Sequence, residues 1–119
     1  WDSGAVVSFG SDSPGTNASR YPLNPMLGLY AAVTRQTLDG KPADGWFPDE
    51  KLSVEEAIQA YTLNSAYASF EENIKGSITE GKLADLVILS DNLLEIDPSK
   101  IKDVKVKTTI FNGKVIYQQ

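Results

Sequence analysis

With 119 residues, 41% apolar and 23% charged, the chain has the length and composition of an ordinary globular domain. Its 16 acids against 11 bases give a net charge of −5, which repels phosphate backbones and argues against a nucleic-acid partner. Histidine and cysteine are both absent, which removes imidazole and thiolate metal ligands, disulfides and cysteine nucleophiles together.

The chain opens Trp1-Asp2-Ser3-Gly4, with neither an initiator Met nor a basic segment ahead of an apolar signal core. Ala5 to Phe9 already reads as a buried strand: short, apolar, β-branched and ended by Gly10. A start this abrupt suggests a piece cut from a longer polypeptide. Gly10-Ser11-Asp12-Ser13-Pro14-Gly15 and the polar Thr16 to Arg20 follow as a loop beyond the strand's C-terminal end.

Asn24-Pro25 starts a helix. Asn24 can cap the orphan amides, and Pro25 loses nothing at the first helical position. Met26, Leu29, Tyr30, Val33 and Leu38 fall near helical spacing, and the expected end is near Gln36 or Thr37. Asp39 to Glu50 is a loop carrying Trp46 and Phe47. Ser53-Val54-Glu55-Glu56 is a capping box for a second helix, with Ala57, Ile58, Ala60 and Tyr61 behind it. A kink near Thr62 to Asn64 leads to a helical stretch from Ser65 to Phe70.

Beyond residue 75 the pattern turns to β. Gly76 and Gly81 bracket a turn, and Ala84 to Leu89 is an apolar strand. Asp91 to Lys102 is a loop with a short helical turn after Pro98. Val104 to Phe111 alternates as a half-exposed strand, Asn112-Gly113 is a hairpin signal, and Lys114 to Tyr117 returns. Residues 1–75 therefore read as strand and helices, and residues 76–119 as a small β unit. The first part holds one strand with no neighbour to pair with, a second reason to expect further sequence. No apolar run approaches the roughly 20 residues that span a bilayer, so a membrane role is not expected. The missing cysteine agrees with a cytoplasmic location, the expected one.

Asp12 is the first candidate for chemistry, because barrel enzymes place catalytic groups just past the C-terminal ends of their strands. On local sequence alone, a turn aspartate bonding its own backbone is the simpler reading. Ser11 and Ser13 have no histidine base, so a serine triad is untenable. Gly76 and Gly81-Lys82 mimic a phosphate loop, but Leu83 stands where Ser or Thr is needed and a strand follows instead of a helix. Asp85 is expected to make a structural hydrogen bond, Arg35 a salt bridge on its helix, and Glu71-Glu72 a solvated face. Trp46 and Phe47 either close a substrate pocket or pack over the fold.

Gly4-Ala5-Val6-Val7-Ser8-Phe9-Gly10-Ser11-Asp12-Ser13-Pro14 resembles the last barrel strand of the amidohydrolase superfamily. Ala31-Ala32-Val33-Thr34-Arg35 resembles the following helix, and Glu55-Glu56-Ala57, Tyr61-Thr62 and Asn64-Ser65-Ala66 the helical segment before the closing strands. The most specific stretch is Gly76-Ser77-Ile78-Thr79-Glu80-Gly81-Lys82-Leu83-Ala84-Asp85-Leu86-Val87-Ile88-Leu89. Thr109 to Tyr117 is similar to the family's terminal hairpin, and the whole is most like amidohydrolase family 3, including YtcJ-like enzymes.

The resemblance implies an α/β fold: the C-terminal remnant of a (β/α)₈ TIM barrel plus the closing strands of a composite β-sandwich. The implied activity is hydrolysis of a C–N bond, of amide type, in a small-molecule substrate. Asp12 by position would be the catalytic proton-transfer base and a candidate metal ligand in the intact enzyme. A divalent metal, zinc being the expectation, would be held by histidines from earlier strands. No metal is expected in this chain alone, which should be inactive and, with apolar surface on the Ala5 to Phe9 strand and the inner face of the Pro25 helix, should self-associate. Two other readings stay open: a non-catalytic α/β interaction module and a degenerate homologue that binds ligand without turnover. A His-x-His pair upstream would favour the hydrolase, whereas a start codon just before Trp1 would favour the module.

Overall fold

The computed structural model describes residues 1–11 and 23–119. Helix α1 spans Pro25–Thr34, α2 Val54–Tyr61 and α3 Leu63–Ala68. Strands β1 (Leu86–Leu89), β2 (Val106–Phe111) and β3 (Lys114–Gln118) form an open antiparallel sheet in the order β1-β2-β3.

Local chemistry sets the starts of α1 and α2 as expected, while α3 begins at Leu63, two residues before the expected Ser65. Asn24 accepts from the Met26 amide at 3.0 Å ahead of Pro25, and Ser53 and Glu56 exchange both bonds of the capping box. The end of α1 falls earlier than expected. The Thr34 hydroxyl donates to the Tyr30 carbonyl at 2.7 Å, and Arg35 turns left-handed at φ 56°, its amide closing on Ala31. Leu38 therefore leaves the helical stripe and is half exposed.

Ala5 to Phe9 pairs as a strand with no other segment among the described residues, contrary to expectation. A strand is defined by a partner ladder, and here the segment's backbone contacts are to helices instead. Val6 is exposed, while Val7 and Phe9 are half buried.

The core lies between α1 and the short 3₁₀ helix Pro98–Asp103. Met26, Leu29 and Tyr30 pack with Ala57, Leu93, Ile101 and Val104. The inner face of α1 is thus covered, a correction to the expectation that it would be bare. The 3₁₀ turn brings Ile101 and Val104 onto it, and Lys102 adds its ammonium over the Tyr30 ring, 5.1 Å from the centroid. Val104 caps that turn instead of beginning β2.

Asn112 (φ 47°) and Gly113 (φ 74°) make the tight turn between β2 and β3, as the Asn-Gly pair requires. The sheet is two-sided and open. Val87 and Ile88 on β1 and Val115 and Ile116 on β3 are all more exposed than buried.

Candidate functional site

The segment leading to Asp12 is held by the α2–α3 junction. The Phe9 amide donates to the Ala60 carbonyl at 3.1 Å, and the Asn64 side-chain amide donates to the Val7 carbonyl at 2.8 Å. Asn64 is itself buried at 6% exposure, and its side-chain oxygen accepts from Gln59 Nε2 at 3.2 Å. The Ser65 hydroxyl donates to Ala60 at 2.9 Å and lies 3.5 Å from the Phe9 carbonyl oxygen. Phe9 meets the Tyr61 ring edge-on at 5.5 Å and 69°. That arrangement needs Gly28: a Cβ there would stand 1.9 Å from the Tyr61 hydroxyl oxygen. Burial pushes the Tyr61 phenol above its usual pKa, so it stays a neutral donor at any physiological pH.

The junction exists because Thr62 (φ −117°, ψ −87°) breaks the helix between α2 and α3. The break frees the Ala60 carbonyl to accept from Phe9 and Ser65 instead of from the next helical turn. Sequence reasoning missed this clamp. An asparagine in the first turn of an apolar helical stretch, where its own propensity is poor, was the available signal.

Asp12 and Ser13 lie outside the described residues, while Ser11 is exposed. Asp85 accepts from the Asn112 amide at 2.7 Å, and the Ala84 carbonyl accepts from the Gly113 amide, so Asp85 serves the hairpin as expected. Arg35 does not make the expected salt bridge among the described residues. Its left-handed backbone aims Nε at the Trp46 carbonyl, to which it donates at 2.9 Å. Trp46 and Phe47 stack on each other at 5.8 Å and are both largely exposed. Arg35, Trp46, Thr37 and Lys41 line a recess of about 300 Å³ beside α1.

Of the solvated face expected at Glu71-Glu72, Glu71 is partly exposed and Glu72 departs from the expectation. Glu71 pairs with Lys75 and accepts from Ser69, and Oε2 of Glu72 is buried with no hydrogen-bond partner among the described residues. Lys82, also missed, reaches back to the Glu72 and Lys75 carbonyls and to Ser77 Oγ at 2.7 Å, closing the Gly76–Gly81 turn. The Lys75 ammonium, with the Ser69 hydroxyl, holds the Glu71 carboxyl below its ordinary value of 4.5. A carboxyl depressed in the fold contributes stability above that ordinary value and loses it as pH falls through the lower folded one. Glu71→Gln is therefore expected to lower the melting temperature slightly at pH 7. The gap to the unmodified chain should close in acid, which a pH series of thermal melts would read.

A cleft of about 820 Å³ separates α2 and α3 from β1, walled by Ile58, Tyr61, Leu63, Ile78, Leu86 and Val87. Among the described residues no three His, Cys, Asp or Glu side chains gather as a metal site. With no imidazole or thiolate in the sequence, the side chains described here do not fit a zinc centre. No described helix is long and apolar enough to cross a membrane.

The amidohydrolase family model matches residues 1–117. The protein named "Putative amidohydrolase YtcJ" from Bacillus subtilis is 34% identical over 116 residues, covering 98% of this chain and 21% of that protein. The N-substituted formamide deformylase of Arthrobacter pascens is 33% identical over 119 residues, covering 99% of this chain and 20% of the enzyme. The imidazolonepropionase of Clostridium tetani is 38% identical over 119 residues, covering 99% and 24%. The chain thus spans about a fifth to a quarter of the length of these relatives. No solved structure matches it significantly. The family model's match over residues 1–117, together with relatives 33–34% identical over nearly the whole chain, shows that this chain belongs to the amidohydrolase family.

Proposed function

We propose that the chain is the C-terminal part of a metal-dependent amidohydrolase that hydrolyses an amide-type C–N bond. On this reading residues 1–75 end a (β/α)₈ barrel and residues 76–119 supply the closing strands of a composite β-sandwich. The observation that carries it is the family match over residues 1–117 to proteins about four to five times longer. One of them is named for acting on N-substituted formamides, an amide class.

Asp12 is the proposed proton-transfer base and a candidate metal ligand. A carboxylate at the mouth of a strand can take the proton of the attacking water and return it to the leaving amine. The metal, zinc in this proposal, would need ligands from outside these 119 residues. Cytoplasmic location belongs to the same proposal.

The test compares the longer polypeptide carrying these residues with the isolated 119-residue chain, both assayed for bound metal and for turnover of formamides and other amides. The longer protein is expected to bind metal and turn over at least one amide. The isolated chain is expected to do neither, and to self-associate through its bare sheet faces in sedimentation. Stoichiometric zinc in the isolated chain, or a longer protein inert to every amide, would overturn the reading.

A further inference from the structure

We propose that the recess beside the C-terminal end of α1 binds a small aromatic carboxylate, the acid group on the Arg35 guanidinium and the ring on Trp46. The recess holds about 300 Å³, the small end for a ligand pocket and enough for one ring with its acid group. Arg35, Thr37, Lys41, Pro42 and Trp46 line it. Arg35 is half buried, and its Nε donates to the Trp46 carbonyl at 2.9 Å. That bond fixes the guanidinium and leaves its terminal N–H groups without an acceptor among the described residues. A planar fork of this kind takes both oxygens of a carboxylate. Lys41 brings a second positive charge, partly offset by the Asp39 carboxylate 3.5 Å from its ammonium, so the anion depends on Arg35.

The loop is formed before any ligand arrives. Arg35 and Phe47, at φ 56° and 48°, both take the left-handed backbone that residues other than Gly rarely adopt. Between them Gly45 packs so closely that a Cβ would stand 2.3 Å from the Thr34 carbonyl oxygen. The Trp46 amide donates to the Arg35 carbonyl at 2.8 Å, the Thr37 amide to Lys41 at 2.9 Å, and the Gln36 side-chain amide to Ala43 at 2.6 Å. Backbone strain held by this many bonds displays Trp46 at the recess, 66% exposed, with one face of its indole on Phe47. For stability alone the arrangement is poor: a large apolar ring stays in water beside a half-buried cation that lacks a counter-charge. A flat ring stacked on the indole, with its carboxylate on the fork, satisfies both. The site does not rest on the hydrolase reading.

The test titrates the isotope-labelled 119-residue chain with benzoate. The Arg35 Nε–H and the Trp46 indole N–H are the reporters, and the Trp1 indole N–H is the internal reference. Both reporters are expected to shift and saturate with a Kd of about 0.1–1 mM while Trp1 stays still. Benzamide has the shape without the charge, and inorganic phosphate the charge without the ring. Each is expected to bind at least about tenfold more weakly. Arg35→Lys keeps the charge but not the fork, and is expected to weaken benzoate about tenfold, read at Trp46. Trp46→Leu keeps the backbone carbonyl that holds Nε, and is expected to weaken it about fivefold, read at Arg35.

No saturation by about 20 mM benzoate overturns the site. Benzamide as tight as benzoate overturns the role of the fork, and phosphate as tight overturns that of the ring. Benzoate affinity unchanged in both variants puts the ligand elsewhere and overturns the site too. If Arg35→Lys loses the folded loop, shown by amide shifts spread beyond residues 35–47, the Trp46→Leu variant and the benzamide contrast decide.

Discussion

Ile101→Ala is expected to destabilise the chain by about 2–5 kcal/mol, the range for truncating a large aliphatic side chain in a packed core. Ile101 is completely buried and sits where the Pro98–Asp103 turn meets Met26, Leu29 and Tyr30 of α1. The turn is short and rigid, started by Pro98 and capped by Asp97, whose side chain accepts from the Ser99 amide at 2.8 Å. A rigid turn collapses poorly onto a cavity, which favours the upper part of that range. Domains of this size hold only about 5–15 kcal/mol in total, so the loss would be a large share. Urea unfolding would read it as a lower midpoint at an unchanged slope. Ile116→Ala is the control: at 64% exposure on β3 it is expected to shift stability by no more than about 0.5 kcal/mol in the isolated chain. Equal effects at the two positions would refute the core described here.

The same region shows what the sequence could and could not disclose. The Asn24 cap, the Ser53–Glu56 box and the Asn112-Gly113 turn were legible because each is decided within a few residues. The helical turn after Pro98 was legible too, but its packing partner was not. Ile101 lies about seventy residues from α1, and no local pattern says which apolar faces meet. Ala5 to Phe9 has the composition of a strand, yet pairing depends on a neighbour. In this chain Asn64 and Ala60 take its backbone instead. Arg35 was read as a helical ion-pairing residue because its left-handed backbone, which turns it towards Trp46, left no mark in composition. The family resemblance carried the rest. It came from motif order along the whole chain, which the family match over residues 1–117 supports.

Asp12→Asn, made in the longer polypeptide, is expected to lower kcat about 10²- to 10⁴-fold, the usual contribution of a positioned proton-transfer group. The amide keeps the shape and the hydrogen-bonding reach of the carboxylate but cannot take a proton from water. If Asp12 only moves the proton, bound metal should stay at the level of the unmodified protein; if it also ligates, metal content should fall with activity. Full kcat in the variant would remove Asp12 from the chemistry.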